Sequence, residues 1–152
     1  MREIKNSIAL LDEHQIVRIY DKMAALKTRI DSSPTLQRMM FSLLSHIQDV
    51  KSADFLASYL TDEWSEEVKR DAIVNLGLLR NPAQKQLPSI CPFLWSDNQK
   101  LVLSAAVAVE RILAPSGEIL SVKEIRKRNP DESAFVEMRK KWWEENKEKY
   151  LK

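Results

Sequence analysis

Apolar side chains recur every three or four residues from Val68 to Leu79, VKRDAIVNLGLL, where Val68, Ala72, Leu76 and Leu79 form one stripe. That spacing predicts a helix with one buried face, because residues three and four apart share a side at about 3.6 residues per turn. The template then returns. Thirty-three residues on, LVLSAAVAVERI puts Leu101, Ala105, Val109 and Ile112 on the same positions. About thirty-two residues earlier, LQRMMFSLLSHI puts Leu36, Met40, Leu44 and Ile47 there more loosely. Self-similarity at such a period predicts stacked helical units, since a single helical hairpin cannot bury its apolar face alone.

The flanking stretches fill in the remaining helices. Ile4, Ile8 and Leu11, then Ile16, Ile19, Met23, Leu26 and Ile30, describe a continuous stripe. Asp12 with Gln15 offers a capping box that splits it into a short leading helix and a longer one. Ser33 before Pro34 opens the next helix, which runs to about Gln48, and Ser52 starts a short one through Phe55, Leu56, Tyr59 and Leu60. Ser65 caps the Val68 stripe, with Glu66 and Glu67 at the positive end of the backbone dipole. Asn81-Pro82 with Gln84, and Ser96 with Gln99, open two more, and Pro88 and Pro92 are expected to bend the first of these. After Leu113 the rhythm changes. Ala114-Pro115-Ser116-Gly117 is a connector, Ser121 with Glu124 boxes a short helix, and Asn129-Pro130 with Glu132 opens a last one. That helix carries Phe135, Met138 and Trp142 beside Val136, Trp143 and Tyr150, with charge opposite, as the end unit of a stack requires. The expectation is an all-α chain, one domain over 1–152, with units at about 12–49, 52–80 and 81–113 and a cap over 117–152.

Composition narrows the function classes. A chain of 152 residues is one domain's worth, able to bury roughly 70% of its unfolded surface. It holds only two glycines, where average usage would give roughly ten, which argues against β-hairpins and Gly-rich phosphate loops. A net charge of +2 permits an anionic partner without predicting one. Cys91 is the single cysteine, so there is no intrachain disulfide and no multi-thiolate zinc site, which fits a reducing, cytoplasmic setting. Glu3, Asp12, Glu13 and Asp21 interrupt the first apolar stretch, which therefore does not read as a signal peptide. No apolar run nears the roughly 20 residues that cross a bilayer, so no membrane partner is expected.

LTDEWSEEVKRDAIVNLG, residues 60–77, resembles the second half of a HEAT repeat of the short kind seen in bilin-lyase-like proteins. Asp62 follows the first helix, Val68-Lys69 enters the second, and Ala72 precedes a Leu76-Gly77 close. The stretch 81–113 is similar through Pro88, Asp97, Ala105 and Val109, and MRKKWWEENKEKY resembles the Trp-Trp helix that ends some small HEAT-like chains. The resemblance implies a right-handed α-solenoid of about three to four antiparallel helix pairs, the second helix of each lining a concave face.

At 100° per residue, Val68, Ala72, Asn75, Leu76 and Leu79 occupy the inward arc and Arg70, Val74 and Gly77 the opposite one. The equivalent outward positions are Arg38, Ser42 and Ser45 before it, and Leu103, Val107 and Glu110 after it. Val74, Leu103 and Val107, edged by Arg38 and Arg70, thus form the expected partner-binding face, since contiguous exposed apolar surface marks interaction sites. The competing reading has the C-terminal segment fold over these residues. Trp64 and Trp95, both at turns, either line one edge of the stack or pack the ends of their own hairpins. Asn75 on an inward arc requires a hydrogen-bond partner. The basic runs 126–128 and 139–141 are interleaved with acids and read as solvated faces. His14 and His46 stand in different units, Cys91 lies in a core-like run, and no carboxylate has an apolar setting that would raise its pKa. No catalytic, metal or cofactor residue is expected. The functional expectation is a non-catalytic protein–protein interaction module, a small scaffold or adaptor. Two alternatives stand beside it. One is a nucleic-acid binder, on the analogy of HEAT-like DNA glycosylases, and the other an enzyme or chaperone of tetrapyrrole attachment, on the bilin-lyase-like repeat alone.

Overall fold

The computed structural model describes residues 12–114 and 121–151, and among them every regular element is helical. The expected short helix before Asp12 and most of the 114–117 connector lie outside the described residues. In order, the helices are α1 (Glu13–Ala25), α2 (Lys27–Asp31), α3 (Pro34–Ile47), α4 (Val50–Ala57) and α5 (Glu66–Leu79). A broken segment follows, running as 3-10 helix over Asn81–Gln86, α6 over Leu87–Ile90, and 3-10 helix again over Cys91–Trp95. Then come α7 (Gln99–Leu113), α8 (Val122–Arg128) and α9 (Glu132–Asn146).

Local chemistry explains most of these boundaries. Asp12 and Gln15 form a full capping box at α1, Ser33 with Pro34 opens α3, Ser65 caps α5, and Ser121 with Glu124 boxes α8. Three starts differ from the sequence reading. Asp49, not Ser52, caps α4, Asn98 rather than Ser96 caps α7, and Asp131 rather than Asn129 caps α9. In each case the side chain nearer the first free amides takes them, as when Asp49 Oδ1 accepts from Ser52 N at 2.7 Å. Pro82, Pro88 and Pro92 do more than bend one helix. Each removes a backbone donor, and the segment breaks into short 3-10 and α pieces.

Helices α3, α5 and α7 lie side by side, α5 in the middle, and α9 packs on the far side of α7. Behind them, α4 packs on α5, the broken segment packs on α7, and α4 and the segment touch each other. Burial follows the repeat. Leu44, Leu76, Val109 and Leu79 are each fully buried, as are Ala72 and Ala105, and Ile112 nearly so. The first unit is looser, with Leu36 exposed and Phe41 and the amide of Gln37 taking the inward places. Gln37 Nε2 donates to the Asp31 carbonyl at 3.2 Å.

Side-chain bonds between units keep the same interval. Arg38 reaches Asp71 and Glu67, Gln48 reaches the Leu78 carbonyl at 3.0 Å, Gln86 reaches Asp54 at 2.6 Å, and Asn98 reaches Glu66. Each links residues 29 to 33 positions apart, one period of the sequence pattern.

Two outward assignments are corrected: Ser45 is buried, its hydroxyl donating to the Ser42 carbonyl one turn back, and so is Gly77. Gly77 does not face outward: it is buried against α7, and a Cβ there would lie 2.8 Å from Ala108 Cα. The two backbones approach where both residues are small, which turns the buried arc of α5 toward Ile73 and Gly77. Asn75 is displaced accordingly. It is half-buried and donates Nδ2 to the carbonyl of Asp71 in its own helix at 2.8 Å, so no neighbouring helix satisfies it.

Candidate functional site

The five residues of the expected binding face fall into two groups. Arg38, on α3, is exposed and held by Glu67 and Asp71 of α5; Arg70 donates to Asp71 at 3.1 Å. Asp71 therefore ties the two arginines together at the α3–α5 seam. Val74, Leu103 and Val107 lie one seam further along, where α5 meets α7, and line a single cavity of about 210 Å³. Val74 is 38% exposed, and Leu103 and Val107 are half-buried.

What half-covers them is α8. Val122 and Ile125 from that helix, and Phe135 from α9, close the cavity on its outer side. Ile125 is fully buried, whereas Val122 keeps 41% of its surface exposed. The cavity rim is polar. Arg126 pairs with Glu132 at 3.3 Å, and burial together with the nearby Arg80 holds the Arg111 guanidinium below its ordinary pKa.

At the opposite end, sequence reasoning missed a larger apolar feature. Leu26, Ile30, Leu36, Met39 and Leu43 form an open groove of about 680 Å³ between the α1–α2 junction and α3, edged by Arg29 and Arg38. Met39 is 64% exposed, and no acidic side chain lines the groove. The signal was present in the adjacent pair Met39-Met40. A single helical stripe accounts for only one of two neighbours, so the other must face elsewhere.

The aromatic residues divide between core and surface. Trp64 packs on Tyr59 with ring centroids 4.7 Å apart, so it closes its own hairpin. Trp95 is 47% exposed, with Lys140 Nζ 6.0 Å from its ring. Trp143 is buried, and Trp142 and Tyr150 pack about it, tying the chain end to α9. Of the basic runs, Arg139 is not a solvated residue. It makes a largely buried pair with Glu110 at 3.0 Å, joining α9 to α7.

Reactive chemistry is sparse. Cys91 is buried, and that burial pushes its thiol up to about 12, leaving it protonated and inert at neutral pH. Tyr20 and Tyr59 are held well above the ordinary phenol range by burial and by donating to Asp49 and Asp31. Among the described residues no three His, Cys, Asp or Glu side chains gather as a metal site, and no helix is long and apolar enough to cross a membrane. The class defined by these observations is a small all-helical protein with apolar surface clefts. Comparison with family models, with curated proteins and with solved structures finds no match for the chain.

Proposed function

We propose that the protein is a non-catalytic interaction module, a short HEAT-like α-solenoid that binds another protein along the concave face lined by α3, α5 and α7. The stack is supported by the interval of its cross-links: equivalent positions of successive units sit beside one another, as the Arg38–Asp71 and Asn98–Glu66 contacts do. Its contacts would be Arg38 and Arg70 at the α3–α5 seam and Val74, Leu103 and Val107 at the α5–α7 seam.

The observation that carries the binding role is the groove at Leu26, Leu36 and Met39, where large apolar side chains stay exposed at the end of the row. An unpartnered Met-rich surface is suited to a protein partner, because flexible thioethers repack against varied apolar shapes. The apolar character of this face, from Met39 through Val74 to Val107, favours a protein over a nucleic-acid duplex, whose phosphates call for a run of cations.

Pull-down from source cells with the full chain, repeated with Met39→Glu and with Val74→Asp, tests the reading. Both sites are exposed, so both variants are expected to fold with unchanged circular dichroism and to lose the same captured protein. Capture that is identical for wild type and both variants would overturn it. Binding to generic duplex DNA that weakens steeply with salt would replace it with the nucleic-acid reading.

A further inference from the structure

We propose that the cleft formed by Val74, Leu103 and Val107 is a docking site for an amphipathic helix carrying apolar side chains at positions i and i+3, and that α8 occupies it as a stand-in when no partner is bound. The inference rests on the interaction-module reading and specifies which kind of partner this part of the face accepts.

The protein supplies its own template for that occupant. Helix α8 is seven residues long and, among the described residues, joins the core through one buried side chain, Ile125. Val122 and Ile125 are three apart and so share one side of α8, and both reach the cavity that Val74, Leu103 and Val107 line. Its other residues, Lys123, Glu124, Arg126, Lys127 and Arg128, are exposed. Two anchors on one helical face, placed in an apolar cleft, are the pattern by which a peptide helix docks in a groove.

The fit is also incomplete. The cavity of about 210 Å³ is open to solvent, with Val74 and Val122 exposed at its edge, so α8 covers the α5–α7 seam only in part. A helix with a larger anchor, such as Leu or Phe in place of the half-exposed Val122, would cover more of this apolar surface than α8 does. An exposed ion pair favours one orientation. Arg126, one residue after the second anchor, meets Glu132 at the start of α9, and a partner helix with a cation at that place would meet the same carboxylate.

The test uses the full chain and a synthetic peptide of residues 121–131, SVKEIRKRNPD, followed by amide chemical-shift titration. With Ile125→Ser in the chain, the cis anchor is lost and the peptide is expected to produce saturable shifts at Val74, Leu103 and Val107, with an affinity at least tenfold higher than for wild type. A control peptide with serine at the second anchor is expected to produce none. Val122→Ser, at an exposed position, provides a second chain that keeps its fold and is expected to gain about threefold. Equal shifts in wild type and both variants, or equal shifts with the two peptides, would overturn the proposal, and α8 would then be a fixed part of the fold. Peptide binding of the expected kind alongside a pull-down that captures nothing would instead refute the interaction-module role while leaving the cleft in place.

Discussion

Gly77 shows how much one residue decides. The approach of Ala108 to its Cα leaves no room for a side chain, and a methyl there would meet backbone, which cannot turn aside. Gly77→Ala gains roughly 1 kcal/mol of helix propensity and loses about 2 kcal/mol to overpacking, so a net destabilisation of about 1 kcal/mol is expected in urea titration. A more stable variant would refute the close approach. Arg80 is the opposite case. It follows α5 with φ 59 and ψ −124, a region open to glycine and strained for other residues, and it stands near the cationic Arg111. Arg80→Gly is therefore expected to stabilise the protein by about 1 kcal/mol, relief of strain outweighing the added freedom of the unfolded chain. A lower melting temperature would show that the arginine side chain contributes more than its backbone costs.

At the scale of elements, the chain is held by a few polar contacts set between helices. Tyr59 donates to Asp31 at 2.7 Å from a fully buried ring that also packs edge-on against Phe41, fixing α2 against α4's end and α3. The Glu110–Arg139 pair performs the same task for α7 and α9. Arg139 Nε is buried with no acceptor, so the guanidinium depends on Glu110 for its compensation. Glu110→Ala is expected to cost about 2 kcal/mol, less than a fully buried pair because both groups keep some solvent contact. Double-mutant analysis with Arg139→Met would check it: the loss is expected to shrink when both partners are removed, and additive losses would exclude the pair as the cause.

For the molecule as a whole, protonation sets an upper limit in pH. Tyr59 has a folded pKa raised above its ordinary 10.0, and Cys91 has one raised from 9.0 to about 12. A raised value means that the neutral form is favoured in the folded state. The stabilisation is thus complete below the unfolded value and declines as pH rises past it. Stability is expected to be flat through neutral pH with respect to these groups, to begin falling above pH 9, and to fall faster above pH 10, by about 1.4 kcal/mol per pH unit for each group. Thermal melts at pH 7, 9, 10 and 11 measure this, and a constant melting temperature to pH 11 would contradict the burial of both groups.

The row of helices was legible because its signals are local. Helical period, cap residues such as Asp12, Ser33, Ser65 and Ser121, and the recurrence of Ala72, Leu76 and Leu79 at Ala105, Val109 and Ile112 each depend on neighbours within a few residues. Those features determined an all-helical chain and the recurring buried positions Leu44, Ala72, Leu76, Leu79, Ala105, Val109 and Ile112, but not the full inward arc of α3 or α5. The tertiary structure decided what distant segments do to one another. It turned α5 so that Gly77 meets Ala108, split the expected binding face into an Arg38–Asp71–Arg70 seam and a Val74–Leu103–Val107 cleft, and laid α8 across that cleft. Whether Val74, Leu103 or Val107 is covered depends on Val122 and Ile125 in a different helix, and no periodicity within a single helix carries that information.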